Sequence, residues 1–246
     1  PAELTLAGLA GFTGELDVDD GSVVLDAGHG GNATLDNAAL DLNGNTVAGA
    51  VDVNAGGLLT GNGTVGDLSV DGGSLTPGDS IGTINVNGAA AFDAGSIFNI
   101  ELAPGANPAN DQVLATGNVS FADGATLNID LFSGTLNPND QFDVISGSAL
   151  IANLNNLNVN SNIDGFDFQL SDAGNALRLT AIEALNLIWD GSTDADGDDA
   201  NFSDDNNFED DQGIPADGGF DFDGLGIAFA ADADGAAAAD GGNYSG

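Results

Sequence analysis

Between Gly57 and Gly88 the chain reads GLLTGNGTVGDLSVDGGSLTPGDSIGTINVNG, short runs in which apolar and polar residues alternate and glycine interrupts every few positions. Strict alternation puts the apolar side chains on one side of a strand, and runs this short must turn back at once. Leu68-Ser69-Val70-Asp71-Gly72 recurs as Ile84-Asn85-Val86-Asn87-Gly88, sixteen residues on. Related copies are Leu16-Asp17-Val18-Asp19, Leu40-Asp41-Leu42-Asn43-Gly44, Val51-Asp52-Val53-Asn54 and Leu127-Asn128-Ile129-Asp130. An inexact strand-and-turn unit repeated in this way is the pattern of a solenoid, in which each rung covers the next.

The same grammar runs through most of the chain. Residues 3–54 contain ELTLAGL, GELDVDDG, SVVLDAG, ATLDNAALDLNGN and TVAGAVDVNAG, each closed by Gly, Asn or Asp, which tolerate the positive φ of tight turns. Helical periodicity is nowhere sustained. His29 lies in Gly28-His29-Gly30-Gly31, where a lone loop histidine without a partner base or ligand reads as solvated. Two prolines among small polar residues mark a loop leaving the stack at 103–110, and a second Pro-Asn-Asp loop follows at 138–140. Asn and aliphatic residues alternate in IANLNNLNVNSN (151–162), which fits either an amide ladder between rungs or a plain exposed polar face. FDFQLSDAGNALRLTAI reads as a hairpin around Asp172-Ala173-Gly174-Asn175.

Residues 1–185 are therefore read as an all-β solenoid with a loop near 103–110. Residues 186–246 form an irregular acidic segment, rich in Asp, Gly and Ala, that reads as a cap, a linker or the start of a further β module. A cap has a physical motive, because terminal rungs expose apolar edges.

Charge narrows the function. One Arg and no Lys stand against 39 Asp plus Glu, for a formal charge of −38, yet 42% of residues are apolar. A disordered acidic tail lacks that apolar content. Nucleic acid and anionic membrane surfaces are excluded as partners, because phosphate contacts need Lys or Arg. No apolar run approaches the roughly 20 residues of a bilayer-spanning helix, so membrane insertion is not expected. The absence of cysteine removes disulfides, thiolate metal sites and a Cys nucleophile. So large a charge of one sign makes compactness and subunit contact depend on salt or divalent cations.

Thr60-Gly61-Asn62-Gly63-Thr64-Val65-Gly66, Gly72-Gly73-Ser74-Leu75-Thr76-Pro77-Gly78-Asp79-Ser80 and Gly82-Thr83-Ile84 carry a family resemblance. Together they resemble the passenger-associated transport repeat of bacterial autotransporter-type surface proteins. Asp111-Gln112-Val113, Ala125-Thr126-Leu127-Asn128-Ile129 and Asp140-Gln141-Phe142-Asp143-Val144-Ile145 are similar to the region on the C-terminal side of that repeat in such proteins, extending the likeness over about Gly57 to Ile182. The resemblance implies a right-handed parallel β-helix displayed at a bacterial cell surface or released outside the cell. Trp189-Asp190-Gly191, with Asn201-Phe202-Ser203-Asp204 and Asn206-Asn207-Phe208, is similar to the openings of repeated β modules in large surface proteins.

Parallel β-helices also include polysaccharide lyases and hydrolases. A lyase of this shape needs a basic Arg or Lys to remove a proton, and the one candidate, Arg178, reads as an outward residue paired with a carboxylate. A hydrolase needs two carboxylates at a suitable separation, and no spacing singles out a pair. An enzyme is not expected. The sharper site candidate is cationic: Asp194, Asp196, Asp198, Asp199, Asp204 and Asp205 supply alternating oxygen ligands suited to calcium, although they match no EF-hand loop. A merely solvated acidic segment explains the same residues. The expectation is an extracellular structural protein that self-associates with divalent cations, with an adhesin-type module for surface glycans as the alternative and a carbohydrate-active enzyme as a third reading.

Overall fold

Three strands make a coil. The computed structural model describes residues 3–7, 11–107 and 109–184, with two short strands beyond them. Contacts divide the chain into Pro1–Ala184 and Leu185–Gly246. In the second unit Ile188–Trp189 pairs antiparallel with Phe208–Glu209.

The first unit is a parallel β-helix with three faces. Face A stacks Glu3–Leu6, Gly21–Leu25, Ala38–Asp41, Leu58–Gly61, Ser74–Pro77, Ile97–Leu102, Thr126–Leu131 and Asn158–Ser161. Face B stacks Leu16–Val18, Ala33–Leu35, Val51–Val53, Leu68–Val70, Ala90–Phe92, Val119–Phe121 and Leu150–Ala152. Face C runs from Thr46–Val47 through Gly63–Val65, Thr83–Val86 and Gln112–Ala115 to Gln141–Ser146. The chain visits the faces in the order A, C, B. Inward residues are the apolar members of each alternation, as in Ile97–Leu102, where Phe98, Ile100 and Leu102 are buried and their neighbours are not.

Two turn columns hold the coils in line. Where face B passes to face A, one residue per coil adopts positive φ: Gly21, Asn37, Gly56, Gly72, Gly95 and Gly124. Asn37, at φ 53°, shows that this corner demands the left-handed conformation and not the lack of a side chain. The opposite demand holds where face C passes to face B. Gly14, Gly31, Gly49, Gly66, Gly88 and Gly117 each stand two residues before a face B strand. A Cβ on Gly66 would lie 2.5 Å from the carbonyl oxygen of Gly49, and one on Gly117 would lie 2.7 Å from that of Gly88. At Gly31, Gly49, Gly66 and Gly117 backbones approach too closely for any side chain.

The coils widen along the chain. On face B, Leu16 pairs with Ala33 and Ala33 with Val51, steps of 17 and 18 residues, whereas Ala90 to Val119 is 29 and Val119 to Leu150 is 31. Growth is concentrated where face A passes to face C. The connection there runs from Gly61 to Gly63 in one coil, then Pro77 to Thr83, Leu102 to Gln112 and Leu131 to Gln141. The interior changes to match. Val, Leu and Ala fill the narrow coils, and Phe92, Phe98 and Phe121 fill the wide ones, with Phe92 stacked on Phe121 at 4.6 Å and tilted against Phe98 at 5.4 Å.

The wide end is closed by a hairpin. Phe166–Asp172 and Ala176–Glu183 pair antiparallel, and the second strand pairs antiparallel with Gln141–Ser146 of face C. Positive φ at Gly174 and Asn175, with the Asn175 N–H donating to Asp172 Oδ1 at 2.9 Å, makes the expected turn. Phe166, Phe168 and Leu170 pack on the core as its lid. At the narrow end Leu4 and Phe12 remain 56% and 50% exposed.

The repeat reading needs one correction. Leu68-Ser69-Val70 lies on face B, Ile84-Asn85-Val86 on face C and Leu127-Asn128-Ile129 on face A. The recurring five-residue unit is one strand with its turn, common to all faces. The coil itself is a longer and growing period.

Candidate functional site

The outward residues of each strand stack on equivalents in neighbouring coils, so side-chain chemistry is organised in columns. On face A, Asn99 Nδ2 donates to Thr76 Oγ1 at 2.9 Å, Asn128 Nδ2 to Asn99 Oδ1 at 2.8 Å and Asn160 Nδ2 to Asn128 Oδ1 at 3.1 Å. The amide ladder is real, and Asn160 brings the Asn-rich run into it. It lies along strands, where register is fixed, with further rungs at turns such as Asn156 Nδ2 to Asp123 Oδ2 at 2.8 Å.

Carboxylates stack in the same way. Immediately after the first five face B strands, the corner carries Asp19, Asp36, Asn54, Asp71 and Asp93, coil upon coil. Asn54 relieves one neighbour by donating to Asp36 Oδ1 at 2.8 Å, and Asn37 donates to Asp20 Oδ1 at 2.7 Å. At the narrow end Asp17, Asp19 and Asp36 bring three exposed carboxylate oxygens within 4.8 Å of one another. Three such oxygens are a partial ligand set for a hard cation, with water completing the shell. Sequence spacing hid this group: Asp17 and Asp19 are a D-x-D pair, but Asp36 joins them across one coil, through the pairing of Asp17 with Thr34 and Val18 with Leu35. The acidic residues singled out from sequence, Asp194, Asp196, Asp198, Asp199, Asp204 and Asp205, lie outside the described residues.

The widened corner holds the second arrangement. Asp111, fully buried at the foot of the 103–110 loop, accepts the Gly82 N–H on Oδ1 and the Glu101 N–H on Oδ2, both at 2.8 Å. Two neighbouring coils are thus tied by one carboxyl. Burial pushes its pKa up to about 7, and the charge of Glu101 adds to this against the pull of the two N–H donors. Asn110, also buried, donates to the Asp143 carbonyl at 3.0 Å and ties in the next coil. Outside this footing, the loops after Leu102 and Leu131 enclose an open cleft of about 440 Å³ lined by Pro104, Ala109, Thr135, Asn137, Asp140 and Gln141 over Phe142.

Arg178 sits as expected. Nε and Nη2 grip Asp143 at 2.7 and 2.9 Å, and Nη1 donates to Gln141 Oε1 at 3.2 Å. The carboxylate raises the guanidinium pKa further. Because both groups are part-exposed, we expect Arg178→Ala to cost little stability, with its effect shrinking from ~10 mM to ~1 M NaCl in paired thermal melts. A loss unchanged by salt would show the contact to be packing.

His29 corrects an expectation. It is buried, 2% exposed, because Gly28–Gly31 follows the path of face C and His29 bridges Val47 in parallel, so its ring points inward as Val47 does. Nε2 donates to the Asn32 carbonyl at 3.0 Å, the ring lies 5.6 Å from that of Phe12, and Nδ1 is buried without a partner. It acts as a core residue of the narrow end.

Fold and site together define an acidic parallel β-helix with stacked outward carboxylates and a loop cleft on its widened corner. No family model matches the chain, and a search of curated proteins returns no match. Among the described residues no helix is long and apolar enough to cross a membrane.

Proposed function

We propose that the chain is an extracellular or cell-surface structural protein of a bacterium, an acidic β-solenoid whose copies assemble into filaments or a surface layer with calcium or another divalent cation between them. The observation that carries this reading is the alignment of carboxylates Asp19, Asp36, Asp71 and Asp93 along one corner, interrupted only by Asn54, on a chain with a single Arg. Two such surfaces repel within the Debye length unless cations intervene, and divalent ions bridge stacked carboxylates. The extracellular setting rests on the resemblance of Gly57–Gly88 to the passenger-associated transport repeat. That stretch spans almost two consecutive coils, from Leu58–Gly61 to Thr83–Val86.

Electron microscopy of the purified chain at several calcium concentrations tests the reading. Sheets or laterally associated fibres appearing with calcium are expected, and single particles under every condition would overturn it.

The loop cleft favours a second reading, an adhesin-type module for surface glycans. Loops lifted from a rigid stack are where binding groups gather in such architectures. A monomer that binds a glycan saturably would support it.

A further inference from the structure

We propose that the cleft between the loops after Leu102 and Leu131 binds the end of a glycan that bears hydroxyl or amino groups and no acidic group. This rests on the binding reading above and gives it a ligand class. Volume comes first: about 440 Å³ falls within the roughly 300–1,000 Å³ of small-molecule sites and exceeds what a bare cation needs. The polar groups come next. Asp140 Oδ2 accepts the Asn137 N–H at 2.9 Å and its side-chain amide at 3.4 Å, which leaves Oδ1 available to a ligand. Gln141 is oriented by Arg178, whose Nη1 takes its Oε1 at 3.2 Å while Asp143 holds the guanidinium, so the Nε2 hydrogens of Gln141 remain as donors. The Thr135 hydroxyl can donate or accept.

A carboxylate oxygen, an amide donor and a hydroxyl around one cleft match adjacent hydroxyls of a sugar ring, which donate and accept in turn. Pro104 and Ala109 supply an apolar side for the C–H face of such a ring. Charge removes the other sugars. Among the described residues no cation lines the cleft, the one Arg is committed to Asp143, and the chain carries −38, so uronates and sulfated sugars are repelled.

The full chain, kept in chelator to suppress assembly, is titrated calorimetrically with three oligosaccharides of equal length: a neutral glucan, a glucosamine oligomer and a galacturonate oligomer. Saturable binding of the neutral or amino oligomer is expected, with the galacturonate at least ~10-fold weaker. Asp140→Ala should weaken binding by ~10-fold or more, and so should Thr135→Trp, which fills the cleft without removing a loop hydrogen bond and should keep the melting curve of the wild type. Equal or tighter binding of galacturonate overturns the ligand class. Binding undiminished by Thr135→Trp overturns the site but leaves the binding reading standing. Absence of binding to all three overturns the proposal, and extending the titration to a panel of surface glycans with no response removes the binding reading too.

Discussion

Gly66→Ala is expected to destabilise the chain by about 3 kcal/mol or more in urea unfolding, far beyond an ordinary surface change. The added methyl would stand 2.5 Å from the Gly49 carbonyl oxygen, 2.7 Å from its carbon and 2.9 Å from the Ala48 oxygen, all of them backbone. No side chain can move aside. The same coils are joined by the Gly66 N–H to Gly49 carbonyl bond at 2.9 Å, so relieving the clash means opening the stack. The effect must also exceed the ~0.4–1 kcal/mol that alanine contributes by restricting the unfolded chain. Gly44→Ala is the control. Gly44 has φ of 78°, and a methyl group there would meet nothing within 4 Å, so its alanine variant should lose only the ~1–2 kcal/mol of left-handed strain. Equal losses at the two positions would contradict a close-packed glycine column.

Asp111→Ala is the second large effect, and it is tied to pH. Removing the carboxyl leaves the Gly82 and Glu101 N–H groups without their acceptor, at about 1–3 kcal/mol for each donor left unpaired in the interior. The sign of the pH dependence follows from the raised pKa. Between the ordinary value of 3.8 and about 7 the folded chain holds a proton on Asp111 that the unfolded chain has released. Stability from this group is therefore full below the unfolded pKa and falls as pH rises through about 7, by up to ~4 kcal/mol for a shift of this size. Repulsion among surface carboxylates persists in both proteins, so the difference between them is the readout. Asp111→Ala should cost most near pH 4 to 5 and progressively less toward pH 8. Asp111→Asn, neutral throughout and still able to accept one N–H, should fall between the two with the same flattened profile. A variant whose stability tracked the wild type across that range would show that Asp111 is not the titrating tie.

Much of this fold was legible in the residues. Alternations such as Phe98, Ile100 and Leu102 against Asn99 and Glu101 announce inward and outward sides, and the Asp-Gly and Asn-Gly steps mark corners that need positive φ. The order in which strands lie over one another could not be read. Leu68-Ser69-Val70 and Ile84-Asn85-Val86 look equivalent and occupy different faces, because a period-two pattern says which way a side chain points and nothing about which wall of the solenoid it belongs to. Everything that depends on register was hidden with it. Asp36 reaches Asp17 and Asp19 only through one coil, and His29 is buried only because it lies beside Val47.

The paired Asn-Asp-Gln motifs show the same limit. Asn110-Asp111-Gln112 and Asn139-Asp140-Gln141 look alike, yet Val113 pairs with Ile145, which places the two motifs out of step by three residues. Asp111 becomes a buried tie between coils, while Asp140 faces the cleft. The acidic run at 194–205 was the most conspicuous candidate from composition, whereas the groups now in view are dispersed and assembled by stacking.

Sedimentation velocity at matched ionic strength bears most directly on the proposed role. The full chain is compared in calcium chloride, in magnesium chloride and in sodium chloride, with chelator added back at the end. If carboxylate columns are bridged by divalent ions, large species should form at millimolar divalent cation, remain absent in sodium at equal ionic strength and dissolve on chelation. Assembly of the same extent in sodium would reduce the role of the cations to screening, and a monomer in all three salts would contradict the assembly reading itself.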